Sequence, residues 1–96
     1  MRPYIAIVHK DEHSAYGVSF PDAPGCFSAA DEIDDLFANA GEALELWAEG
    51  MTADGLELPV PRDLSELHRD AEWAQSFAEA ALVMAVIAPQ TFQRAA

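Results

Sequence analysis

A chain of 96 residues, 51% apolar and 23% charged, has room for one modest core and the composition of a globular domain rather than a disordered tail. Seventeen acids against five bases leave a net charge of −12, a field that repels phosphate backbones and speeds docking with a cationic protein. The single cysteine cannot form an internal disulfide and no apolar run is long enough to span a bilayer. Together these predict a cytoplasmic protein with neither nucleic acid nor membrane as a direct partner.

In chain order, "YIAIVH", Tyr4 to His9, is aromatic and β-branched and predicts a strand; the run is also too short for a signal peptide. The polar cluster "KDEHS" makes a turn, and "AYGVSF", Ala15 to Phe20, predicts the returning strand of a hairpin. "PDAPG" follows: Pro21 and Pro24 fix φ and offer no N–H, and Gly25 supplies permissive dihedrals. A third short strand, "CFSA", comes next. From Asp31 the period becomes helical, with Ile33, Leu36 or Phe37, Ala40, Leu44, Trp47 and Met51 on one stripe. Asp31 is the expected N-cap, Asp34 and Asp35 suit the positive end of the macrodipole, and Asp54-Gly55 ends the helix. "LELPVPRD" is a proline-punctuated connector. Asp63 with Glu66 matches a capping box, so a second helix starts at Leu64, and Trp73 and Phe77 on one face would extend it. "ALVMAVIA", Ala81 to Ala88, predicts a buried strand.

The expected fold is α+β, in the order β-β-β-α-(α)-β: a mixed sheet of three to four strands with one long helix packed on it. Arriving after that helix, the last strand should lie parallel inside the sheet. The expected core is Tyr4, Ile5, Ile7, Val18, Phe20, Ile33, Phe37, Leu44, Trp47, Val83 and Val86.

Residues 31 to 57 carry nine carboxylates (Asp31, Glu32, Asp34, Asp35, Glu42, Glu45, Glu49, Asp54, Glu57) and no basic residue. Ordinary surface helices interleave charge signs, so this stretch suggests an electrostatic face for a cationic partner, against the plainer alternative of a solvated helix. The acid-free first strand argues against a two-metal nuclease, and no metal or other cofactor is expected. Cys26, after Gly25, could be a nucleophile with His9, His13 or His68 as base. No spacing pairs them, and a small buried apolar role suits it better. Trp47 lies on the core stripe; Trp73 could pack in the core or anchor a partner.

The run "VSFPDAPGCFSAADEIDDLFANAGEALELW", continuing to "DGLELPVP", resembles the HicB family of antitoxins, with "ALVMAVIAP" matching that family's closing strand. Ala30 stands where the family usually has glycine, and Glu32 where it usually has threonine. The resemblance implies a partly degenerate RNase H-like fold without nuclease acids, hence no enzyme. It implies a partner, a small basic mRNA-cleaving HicA-type toxin whose active site and RNA surface the antitoxin occludes. On this view residues 1–88 form the toxin-neutralising domain. Residues 89–96 are a tail or the start of a C-terminal domain that in full-length relatives binds operator DNA and autoregulates transcription. The residues expected to face the toxin are Phe20, Asp22 and Pro24 at the corner, with Asp31, Asp34, Asp35, Glu42, Glu45 and Glu49 along the helix. A homodimer or higher oligomer stays open. The alternatives are a stand-alone sensory or interaction domain with a non-toxin partner, and a small hydrolase using Cys26.

Overall fold

The computed structural model describes residues 2–87. Four strands, β1 (Tyr4–Lys10), β2 (Tyr16–Ser19), β3 (Phe27–Ala30) and β4 (Leu82–Val86), form one sheet in the order β3-β2-β1-β4. Between β3 and β4 come α1 (Ile33–Ala53), α2 (Leu64–His68) and α3 (Ala74–Ala78). The α+β class is as expected and the order differs by one extra short helix, but the sheet is antiparallel throughout rather than mixed, because the last strand is not parallel. β4 runs antiparallel to β1, in the register Tyr4↔Val86, Ala6↔Met84 and Val8↔Leu82, and lies at the sheet edge. The expectation of a parallel strand assumed one direct helical crossover. Instead a connector and two short helices separate α1 from β4, enough chain to bring the strand in from either end.

Alternation along β1 divides the core into two layers. Tyr4, Ala6 and Val8 join Val18, Phe20 and Val86 beneath Leu36, Ala40 and Leu44 of α1. Ile5 and Ile7 point to the other face and are also buried, as is Leu67 of α2. The α2–α3 segment covers that side, with His9 Nε2 3.0 Å from the Ser76 carbonyl oxygen. Its cover stops short of β4, so Val83 and Ile87 stay exposed, and the fourth strand is not the continuously buried one its composition suggested.

The sheet meets α1 along the row Leu36, Ala40, Leu44, Ala48, whose alanines allow a close approach. Trp47 packs beside that row. Ile33 and Phe37, placed in the core by periodicity, lie on the flank and are 55% and 61% exposed. The N-cap is Glu32 rather than Asp31, and its side chain makes no capping bond. The helix ends as expected: Gly55 at φ 75° sends its N–H to Thr52, and Leu56 sends its N–H to Met51, a complete Schellman motif. The capping box at α2 is present, with Asp63 accepting from the Glu66 N–H and Glu66 accepting from the Asp63 N–H. That helix stops at His68, and Trp73 with Phe77 belongs to a separate one, α3. The domain boundary expected at residue 88 lies outside the described residues.

Candidate functional site

Two surfaces carry the residues of interest: the outward face of α1 and the corner between β2 and β3. On α1, Asp34, Asp35, Glu42 and Glu49 are exposed and Glu45 is half-buried, all off the buried Leu36–Ala48 row. At 100° per residue these acids fall within about one third of the helix circumference. No lysine or arginine interrupts them. Asp31, just before the helix, is exposed beside them.

The corner is two linked β-turns. Ala23 donates its N–H to Phe20 across Pro21-Asp22, and Cys26 donates to Ala23 across Pro24-Gly25. Each proline occupies the second turn position, and Gly25, at φ 86°, occupies the third position of the second turn, where a type II turn requires positive φ. The turns are pinned from two sides. Trp47 of α1 donates its indole N–H to the Pro24 carbonyl at 2.9 Å. The Asp22 carboxylate accepts from the Arg62 backbone N–H at 2.7 Å and from its Nε and Nη2 at 2.9 and 2.8 Å. Arg62 Nη1 reaches on to Asp70 at 3.0 Å, fastening the connector and the link between α2 and α3 to the same corner. The hydrogen bond from Arg62, then the backbone N–H of Glu72, holds the Asp70 carboxyl below its ordinary value of 3.8. The two carboxylates in turn push the Arg62 guanidinium above its ordinary value.

This geometry sorts the expected contact residues. Phe20 is 3% exposed and belongs to the core, so it offers a partner little surface. The Asp22 side chain is 10% exposed and spent on Arg62; its work is to hold the corner together. Pro24 is exposed, and the helix acids face solvent apart from the partly covered Glu45. The sequence reading missed Arg62. Its signal was a lone cation in "VPRD" within a stretch otherwise dominated by acids.

The hydrolase reading loses its chemistry. Cys26 is buried in the α1-side core, and burial pushes its thiol up to about 11, so it is no thiolate at neutral pH. His68 is stacked on Phe77 at 4.3 Å, His9 is engaged with Ser76, and His13 lies in the exposed hairpin turn. No histidine lines the groove that Cys26 borders. Among the described residues no three His, Cys, Asp or Glu side chains gather as metal ligands, and no helix is long and apolar enough to cross a membrane.

The profile of the HicB-like antitoxins of bacterial toxin–antitoxin systems matches residues 4–96. The chain belongs to this family. An uncharacterized 14.9 kDa protein of Haemophilus phage HP1 is 39% identical over 61 residues, which are 64% of this chain and 46% of the phage protein. The chain thus spans about half the length of that relative. A UPF0150 protein of Thermoplasma acidophilum is 32% identical over 63 residues, 66% of this chain and 88% of its own. Among solved structures, the antitoxin HicB of Burkholderia pseudomallei aligns at a TM-score of 0.73 with 32% identity, over 96% of this chain and 66% of that one. A HicA3–HicB3 toxin–antitoxin complex supplies a chain that aligns at 0.69 with 26% identity, over 90% and 96%. The four-stranded sheet and long helix are therefore those of HicB antitoxins, and this is an antitoxin family rather than an enzyme family.

Proposed function

We propose that this HicB-like chain is an antitoxin that binds a small basic HicA-type mRNA-cleaving toxin and silences it by covering its active site and RNA surface. The observation that carries the reading is the uninterrupted acidic face of α1 on a domain of net charge −12. Such a face repels RNA and attracts the kind of protein that must bind RNA. The similarity to a chain of a HicA3–HicB3 toxin–antitoxin complex supports the choice of partner. On this reading the rigid corner keeps the surface beside it preformed, which lowers the ordering cost of association.

The test is titration of the chain into the basic protein encoded beside its gene, at low and high salt, followed by RNA cleavage. The expected outcome is a complex that weakens with salt and suppresses cleavage. Replacing Asp34, Asp35, Glu42 and Glu49 by Lys should slow association about tenfold or more at low salt. Unchanged binding by that variant would remove the electrostatic part of the reading; no complex, with cleavage intact, would remove the antitoxin reading itself.

A further inference from the structure

A groove of about 290 Å³ runs between the "PDAPG" corner and the start of α3. We propose that it receives an arginine or lysine side chain of the basic toxin, with the stem against Phe27 and Trp73 and the cation meeting Glu72. The proposal rests on the antitoxin reading and adds to it a specific contact, on a surface separate from the acidic helix face.

Four observations converge. Phe27 heads β3 opposite Ser19, on the sheet face turned away from α1, and is 70% exposed. Its ring therefore contributes almost nothing to the core, and an aromatic held out at the mouth of a groove is the composition of an interface anchor. Trp73 is half-buried and lines the same groove, so two aromatic side chains border one space. The wall formed by Pro21, Pro24 and Gly25 is fixed by two turns, by the Trp47 hydrogen bond and by the Asp22–Arg62 pair, so the groove does not have to be ordered on binding.

The fourth observation is charge, and it selects the occupant. Asp22, Asp70 and Glu72 lie at this end of the molecule, and Asp70 also accepts the Glu72 backbone N–H. Arg62 bonds Asp22 and Asp70, and with Glu72 beside them the four side chains carry a net charge of −2. A carboxylate, Glu72, bordering an apolar, aromatic floor suits a long cationic side chain, whose methylenes pack on the rings while its head meets that carboxylate. A second copy of this chain would bring another −12 to the contact and is disfavoured. A phosphorylated cofactor meets the same repulsion, and the volume lies at the foot of the roughly 300–1,000 Å³ range of small-molecule pockets.

The experiment is calorimetric titration of the basic protein encoded beside the gene into wild type, Phe27→Ala, Phe27→Tyr, Glu72→Gln and Trp73→Phe, at two salt concentrations. Phe27→Ala should weaken binding about tenfold and Phe27→Tyr should restore it, because the ring face is what is used. Glu72→Gln should weaken binding about threefold at low salt and less at high salt. Binding should also shift the tryptophan emission of wild type to the blue, and Trp73→Phe should lose that shift. Thermal melts of the free variants report on folding, and exposure of Phe27 means that its replacement should leave them little changed. Wild-type affinity in Phe27→Ala and Glu72→Gln, with no emission change assignable to Trp73, would overturn the groove while leaving the antitoxin reading intact. Absence of binding by wild type would overturn both.

Discussion

The two faces of the sheet are held by different forces. On one, α1 lays a continuous apolar row over Tyr4, Ala6 and Val8, and the side chains that matter carry no charge. On the other, two five-residue helices cover Ile5 and Ile7 with Leu67 buried beneath them, and polar links add to that contact: Arg62 between Asp22 and Asp70, and His9 on Ser76. Helices that short are not stable on their own and need tertiary anchors. The comparison teaches that one layer should respond to lost volume, and the other to lost charge, to pH and to salt.

Leu44→Ala should have the largest effect. It removes a wholly buried side chain from the centre of the α1 layer and should cost about 2–5 kcal/mol, read from urea unfolding, with no dependence on salt. An effect below 1 kcal/mol would mean that the α1 layer is not where stability is concentrated.

Asp22→Ala comes next. It strips the partner from the Arg62 backbone N–H and guanidinium and should cost roughly 1.5–3 kcal/mol. Its sharper signature is local. Cys26 follows the corner directly, and with its thiol near 11 rather than 9.0 it should react roughly 100-fold more slowly at pH 8 than an exposed cysteine. Loosening the corner should raise the labelling rate well before global unfolding; equal rates in wild type and variant would show that the ion pair does not hold the corner.

A smaller effect is expected from pH. Asp70 is lowered by Arg62, and Asp63 by the Glu66 backbone N–H and the Ser65 hydroxyl. A folded value below the unfolded one gives stability that is complete above the unfolded value, near 3.8, and lost as pH falls through the folded value. The urea midpoint should therefore drop below about pH 4, and hydrogen exchange in α2 and α3 should rise before exchange in α1. Asp70→Asn should flatten this dependence. Exchange rising together in all three helices would dissolve the distinction between the layers. The smallest effect belongs to Asp63→Ala, which should fray α2 with little change in global stability because the cap is solvent-exposed.

Much of this was legible along the chain. The hairpin, the corner, the Schellman ending at Asp54-Gly55 and the Asp63 capping box all depend on neighbours within six residues, and local chemistry announced each. The helix stripe was legible to within one residue of phase. Leu36 and Phe37 differ by 100° on the helix, and nothing local says which meets the sheet. The sheet chose Leu36, in line with Ala40 and Leu44, and left Phe37 outside. Of the expected contact residues, the helix acids were placed on the surface by their spacing against the apolar row. Phe20 was legible as core, and that placement holds; Asp22 was misplaced because its partner, Arg62, lies forty residues on.

By itself, then, the sequence determined the charge, the succession of strands and helices, and the turns and caps, because each follows from composition or from contacts made within a single turn of chain. Only the tertiary structure decided that β4 lies antiparallel at an edge, that Asp22 clasps Arg62, and that Phe27 and Trp73 border one groove. These are meetings between segments tens of residues apart, selected by how the two layers close over the sheet.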